Sequence, residues 1–326
     1  MTVTTARRPS VTPRAPDAEA VFAMPVNNPG AYVIEALETL LAQKGRRLAV
    51  VALDDASTDN SLALLESFAE QDERLVVYRN ERRLGIPRAW NRVMALALEE
   101  APAARYAAWA GDHDRWANGW LGRLADALDA CSGAALAVPL TRKIAVDGTI
   151  VRNSDRRLDT RANTSPTALV RATVRDMTAG DQIYGLFRRR ALEHALPVPH
   201  VVLFDRLVLA SIALEGPIVQ VDDHLWERRT FARPIDTVLD RERDAFWPEG
   251  APLWARLPPL VPGSAVLGWR ALRGRLGPGV PRRVALRAAM LYCVETRRRE
   301  RKVKARRRRR DKRLRAHQRR LDAPAR

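Results

Sequence analysis

Apolar positions in the first 130 residues come in two rhythms that take turns. Short unbroken runs such as AVFAMP and VVYR read as strands buried on both faces, while stretches with apolar residues three and four apart read as amphipathic helices. The pattern predicts strands over Ala20 to Pro25, Arg47 to Leu53, Leu75 to Arg79 and Tyr106 to Ala110. Between and after them it predicts helices over Ala31 to Gln43, Ser61 to Gln71, Pro87 to Glu99 and Asn118 to Ala130. Local chemistry supports these boundaries: Pro87 sits where a first-turn proline belongs, and Ser61 follows a Ser-Thr-Asp capping cluster. Strand and helix alternating at this spacing imply right-handed βαβ units, hence an α/β fold with a mainly parallel sheet flanked by helices.

The rhythm changes after Ala135. AALAVPL runs into KIAVDGTIV, where Asp147-Gly148 between β-branched residues signals a tight hairpin. A polar loop from Arg152 to Pro166, a helix to about Asp176, a strand near Ile183 to Phe187 and a helix from Asp205 to Leu214 follow. This half reads as the wall of a pocket for a different substrate. Beyond Pro234 the chain is rich in Pro and Trp, then becomes helical from Arg282, so a C-terminal helical appendage is expected. The organisation predicted is a disordered leader over 1–18 and a main domain over 19–234, divided into halves 19–140 and 141–234. A Pro/Trp-rich and helical region over 235–296 and a basic tail over 297–326 complete it.

Composition alters this picture in one respect. The 326 residues carry a net charge of +18, which suggests nucleic acid until it is located. Sixteen Arg and Lys between Arg297 and Arg320 face only Glu300 and Asp311, so this run alone carries fourteen of those charges. Only +4 is left for the rest of the chain. Cys131 and Cys293 are far apart, with no CxxC or Cys/His company, and fit buried thiols in a reducing compartment. No stretch approaches the ~18 apolar residues of a membrane span. A cytoplasmic protein is expected, peripheral at the inner face of the membrane if the tail meets anionic lipid.

Two carboxylate clusters stand where chemistry is expected. LAVVALDDASTDNS ends a buried strand on Asp54 and Asp55, and YAAWAGDHDRW places Asp112 and Asp114 just past another. Carboxylates at the carboxyl ends of strands lie in the crevice where open α/β sheets bind ligands. Hard divalent cations such as Mg²⁺ or Mn²⁺ prefer such oxygen ligands, and a nucleotide needs its phosphate charge neutralised. A solvated acidic turn, or Asp55 as a mere cap of the following turn, is the plainer alternative.

The ordered series MPVNN, VVALDDASTDNS, N-x4-GIPRAWN and AGDHDRW resembles the nucleotide-binding half of the family 2 glycosyltransferases, which have the Rossmann-like GT-A fold. The likeness covers roughly Val21 to Arg229. It implies an inverting transferase that takes one sugar from a nucleotide-sugar donor to an acceptor hydroxyl, in cell-envelope or polysaccharide glycoconjugate synthesis, with a lipid-linked acceptor among the candidates. By resemblance Asp112 and Asp114 hold the metal, Asp114 as the more direct ligand and Asp112 nearer the ribose and diphosphate, and either Asp54 or Asp55 binds base or ribose. Pro25 and Asn28 mark the loop over the base. Here the chain departs from the family, because Asn27 stands where an aromatic is usual. Arg88 and Asn91 would face the same crevice unless they are ordinary helix-surface residues. His113, the middle residue of an extended segment, would point away from its neighbours and stay out of the metal shell. The acceptor-side base of the family falls on Asp205, with Phe204 where a first acid is common; a helix cap competes for Asp205, and Asp181 is the fallback. IVQVDDHLWERR resembles the family's closing strand and lacks Q-x-x-R-W, so a single-sugar transfer is implied rather than processive synthesis.

Two rivals are weighed against this. A nucleotidyltransferase would normally carry a Gly-rich phosphate loop with Lys or Arg after the first strand, and MPVNNPGAY has neither. A nucleic-acid or anionic-surface binding protein built on an inactive domain would explain the basic tail, but the tail has no interleaved aromatics for base stacking, which makes nucleic acid the weaker partner.

Overall fold

The computed structural model describes residues 13–178, 180–231, 244–274, 276, 280–298 and 301. Strands β1 (Ala20–Val26), β2 (Leu48–Asp54), β3 (Leu75–Arg79) and β4 (Tyr106–Trp109) alternate with helices α1 (Tyr32–Leu41), α2 (Ser61–Gln71), α3 (Ile86–Glu100) and, after the two-residue β5 (Arg115–Trp116), α4 (Trp120–Ala130). The second half holds β6 (Leu136–Ile144), β7 (Ile150–Ser154), α5 (Pro166–Asp176), β8 (Leu186–Arg188), α6 (Arg189–Ala195), α7 (Phe204–Glu215) and β9 (Ile218–Arg229). One nine-stranded sheet runs in the order β3-β2-β1-β4-β8-β6-β9-β5, with β7 paired to β6. It is parallel across β3-β2-β1-β4 and again at β6-β9; β8, β5 and β7 join antiparallel. The sheet is therefore mixed, its parallel part being the one that the alternating pattern marks.

Both faces of the sheet are covered, and the side-chain alternation of β1 shows it. Ala20, Phe22, Met24 and Val26 turn towards α1 and α4, where Val33, Leu37, Trp120 and Leu124 pack, while Val21 and Ala23 turn towards Val93 and Met94 of α3 and the helices of the second half. A strand buried on both sides must be apolar throughout, which is why its sequence shows no polar alternation.

The Asp147-Gly148 hairpin forms, with Gly148 at φ +84 and the Ala145 amide bonded to the Thr149 carbonyl. The strand expected near Ile183 to Phe187 is instead a 3-10 turn at Gln182–Tyr184 followed by β8, and the seven-residue α6 was not expected. The end of the expected leader is also ordered. The Arg14 amide donates to Glu100 Oε2, the Ala15 amide to the Glu100 carbonyl, and Ala18 is buried. The C-terminal appendage comprises a 3-10 turn at Leu253–Arg256, α8 (Leu260–Leu272) and α9 (282–298), packed on α7 through Leu207, Leu267, Ala271 and Tyr292. The boundary expected at residue 234 and nearly all of the basic tail lie outside the described residues.

Candidate active site

Parallel pairing aligns Val26 with Asp54 and Ala23 with Trp109, so the carboxyl ends of β1, β2 and β4 open on one side of the sheet. Asn27 ties the three ends together. Its amide donates to Asp112 Oδ2 at 3.1 Å and its Nδ2 to the Asp55 carbonyl at 3.0 Å. Above them lies a cavity of about 460 Å³ lined by Pro25, Asn28, Tyr32, Asp55, Arg83, Trp90, Asp112, His113, Tyr184 and Phe231, among others.

Of the two carboxylates ending β2, the structure brings Asp55 and not Asp54 to this cavity. Asp54 is fully buried; both of its oxygens accept from the Ser57 amide, at 3.2 and 3.3 Å, and Arg79 lies 3.7 Å away. The turn-capping role considered for Asp55 therefore belongs to Asp54. Asp55 braces the loop before α3 instead: Oδ1 accepts from Asn80 Nδ2 at 2.7 Å and the Leu84 amide at 2.8 Å, and Oδ2 from the Gly85 amide at 3.0 Å. Gly85 has φ +83, and a Cβ there would meet the Ala245 and Phe246 carbonyls below 3 Å, so only glycine fits between this loop and the C-terminal segment.

Asp112 faces the cavity and its Oδ1 lies 2.6 Å from His113 Nδ1. Asp114 does not line it. Its carboxylate is buried, Oδ1 accepts the Arg229 amide at 2.9 Å, and Gly111 makes room for Oδ2, since any Cβ there would overlap it. Burial pushes the Asp114 carboxyl up against the opposing influence of His113 and the Arg229 amide. The expectation that His113 points away from its neighbours is corrected: Asp112 and His113 form a turn, not an extended segment, and the ring reaches Asp112 and comes within 4.0 Å of Asp114. Burial disfavours its charged form, yet the hydrogen bond and charge of Asp112 with the charge of Asp114 outweigh this and raise its pKa.

Among the described residues no cluster of three or more His, Cys, Asp or Glu is placed to hold a metal through protein ligands alone. The donor set still suits a hard cation. Mg²⁺ sites use one or two carboxylates and leave the other positions to water and substrate phosphates, and the Asp112 carboxylate at the cavity offers such a partial shell.

Arg88 and Asn91 are corrected. Arg88 is half-exposed and turns to Glu249, 4.0 Å away. The Asn91 amide is occupied on both sides by the Val198 backbone, at 2.5 and 2.9 Å, and pins the chain leading to α7. The guanidinium at the cavity is that of Arg83, two residues before Gly85 in ERRLGIPR, a basic residue just ahead of a helix start that the sequence offered and the reading passed over. Pro25 and Asn28 do line the cavity. Asn28, at φ 55, spends its Oδ1 on the Thr58 and Asp59 amides and so closes the loop onto the turn after β2. Two aromatic rings, Tyr32 on α1 and Phe231 after β9, line the cavity with ring centroids 5.6 Å apart.

The second half joins the site through the end of β9, where successive side chains diverge. Arg229 is buried and binds the DHD turn: Nε donates to the His113 carbonyl and Nη1 to the Ala145 and Val146 carbonyls, while the guanidinium pairs with Glu35 and lies 4.7 Å from the centroid of Tyr32. Arg228 turns the other way, its Nη1 2.6 Å from Asp181 Oδ1. Asp205 lies in the first turn of α7, behind Leu203, whose φ of +62 is strained for a leucine, and its Oδ2 accepts the Gly180 amide at 2.8 Å. Between the two halves stands Tyr184, stacked on Trp226 at 4.8 Å; burial raises its hydroxyl pKa, and the charges of Asp114, Asp112 and Asp205 all reach it. Tyr184 and Asp112 line the cavity, while Asp114 and Asp205 do not.

A sheet of this order with carboxylates at its strand ends is the GT-A arrangement. The model of glycosyl transferase family 2 matches residues 22–196, and the chain belongs to this family. Similar proteins include the glycosyltransferase GlyG of Streptococcus pneumoniae serotype 4, 34% identical over 77 residues, and the uncharacterized protein MT1568 of Mycobacterium tuberculosis, 34% identical over 74 residues. These matches span 24% and 23% of this chain and only 26% and 23% of the two relatives. Among solved structures, Staphylococcus aureus TarS 1-349 with UDP-GlcNAc superposes with a TM-score of 0.52 at 16% identity, over 85% of this chain and 90% of that one. The mannosyltransferase PcManGT of Pyrobaculum calidifontis with GDP-Man and Mn²⁺ superposes with the same score and identity, over 89% and 90%. At this identity the likeness shows the fold alone.

Proposed function

We propose that this glycosyltransferase moves one sugar from a nucleoside-diphosphate sugar to an acceptor hydroxyl with inversion, assisted by a divalent cation. The observation that carries the reading is the cavity at the strand ends, where Asp55, Asp112 and Arg83 converge under two aromatic rings. The donor's base is assigned to the Tyr32 and Phe231 side, its diphosphate to Arg83 and Asp112. Asp112 would hold Mg²⁺ or Mn²⁺ together with water and the donor's phosphates, and the cation when bound neutralises the charge left on the departing diphosphate. TarS and PcManGT are described with UDP-GlcNAc and with GDP-Man and Mn²⁺, which supports donors and a metal of these classes.

Asp205 takes the proton of the acceptor hydroxyl as its oxygen attacks the anomeric carbon opposite the leaving group. The Gly180 amide and the first turn of α7 hold this carboxylate in one orientation, as a base must be held. Arg228 holds Asp181, the residue after Gly180, whose amide Asp205 accepts. The acceptor is assigned to cell-envelope or polysaccharide glycoconjugates, with lipid-linked hydroxyls as the first class to try. No helix among the described residues is long and apolar enough to cross a membrane, so contact with such an acceptor is assigned to the protein surface, at the cytoplasmic side.

A screen of UDP- and GDP-sugars by thermal shift with Mn²⁺ tests the reading. A donor at about 100 times its Kd stabilises the native state by roughly 2.7 kcal/mol, which for a domain of this size is a rise in Tm of roughly 5 to 10 °C. Absence of any nucleotide-dependent shift would remove the donor assignment.

A further inference from the structure

Helix α8 is apolar on its outer side as well as on its inner one. Its outward positions, Val261, Ala265, Trp269 and Leu272, recur at helical spacing and carry no polar side chain, with Val261, Trp269 and Leu272 50%, 48% and 62% exposed. Its arginine goes inward: Arg270 is buried and donates to the carbonyls of Ala195 and Pro197. Ahead of α8, Leu253, Trp254 and Leu257 are exposed around Arg256. On α9 the outward positions are Arg283, Arg287, Met290, Val294 and Arg298. Leu267 and Ala271 of α8 and Ala285, Ala288 and Tyr292 of α9 share one core with Leu207 of α7, so the two helices form a layer whose other side faces out.

We propose that this outer side is a docking surface for an anionic lipid bilayer, the apolar stripe of α8 entering the interface while the arginines meet the headgroups. Charge selects the partner. From Leu253 to Arg298 the sequence holds nine arginines and a single acid, Glu295, which Arg298 already engages at 3.0 Å. A second copy of the chain would set this face against its own arginines, because a two-fold interface meets its own kind. Nucleic acid would satisfy the arginines but leave the Val, Leu and Met stripe in water. Only an anionic interface accepts both, and Trp269, with the Arg273 guanidinium 5.7 Å from its ring, has the amphipathic character of residues that settle at headgroup level. The surface rests on α7, whose first turn carries Asp205, so docking sets the acceptor side of the site beside the lipid. The proposal rests on the peripheral-surface part of the proposed function and names the face responsible within the folded body, apart from the basic tail.

The test is sedimentation of the full chain with phosphatidylcholine vesicles and with vesicles containing phosphatidylglycerol, at low and high salt. Three proteins are compared: wild type, Trp269→Gln/Leu272→Gln and Arg283→Gln/Arg287→Gln. Wild type is expected to bind the anionic vesicles preferentially. The apolar variant should bind them about tenfold or more weakly, the arginine variant should lose part of the salt dependence, and all three should keep the same donor-induced thermal shift. Equal binding by wild type and the apolar variant would assign docking to the tail and overturn the proposal. No vesicle binding by wild type would overturn it together with the peripheral reading, and an unchanged donor shift would leave the transferase reading standing. A self-association abolished in the apolar variant, without vesicle binding, would assign the face to a second copy instead.

Discussion

Asp205→Asn is expected to lower turnover by about 10² to 10⁴-fold, the usual contribution of a general base. Donor affinity is expected to stay within about twofold, since a group acting only in the transition state leaves ground-state binding untouched. The asparagine keeps the size of the side chain and an oxygen that accepts the Gly180 amide, so the start of α7 should hold; what it lacks is a basic oxygen. Asp205 accepts the Gly180 amide and is not part of the cavity lining at the strand ends, which is the physical reason for expecting the two functions to separate. Steady-state rates with donor and acceptor varied independently would check this. Parallel losses in donor binding and turnover would make Asp205 a structural cap.

The two aspartates of the DHD turn are expected to part company. Asp112→Asn should weaken metal-dependent binding of a nucleoside diphosphate by about tenfold or more, the scale on which loss of a carboxylate near a metal is felt, with little change in Tm. Its carboxylate faces the cavity, and the single backbone amide it accepts, that of Asn27, can bond to the amide oxygen of asparagine as well. Asp114→Ala should instead destabilise the fold by about 1 to 3 kcal/mol, because it leaves the buried Arg229 amide without an acceptor. Calorimetric titration with UDP and GDP, with and without Mn²⁺, and thermal unfolding would resolve the two. A stable Asp114→Ala protein that has lost binding would return the metal to Asp114.

These expectations differ from a reading of the spacing alone for an identifiable reason. The βαβ half was legible because its information is local: apolar runs of strand length, helical periodicity, and turn residues at each junction. The positions of Asp55 and Asp112 followed, since parallel strands must bring their carboxyl ends together. What escaped was set by partners distant in sequence. Asp114 is buried because Arg229, 115 positions later, comes down on the turn; Asn91 is drawn from the crevice by Val198; and Phe231 joins Tyr32 at the cavity. The hydrogen bonds that decide a polar side chain's fate span 107 and 115 residues here, and no window of local pattern contains them. Asp205 is proposed through family resemblance, and its chain position alone reads as a helix cap.

The most direct measurement of the central claim is release of nucleoside diphosphate from UDP- and GDP-sugars by the purified full chain, with Mn²⁺ and then with excess EDTA, alongside Asp112→Asn. The account predicts release from at least one donor, abolished by EDTA and strongly reduced in the variant. Release that persists in EDTA and in Asp112→Asn would contradict the metal-assisted donor site at the strand ends.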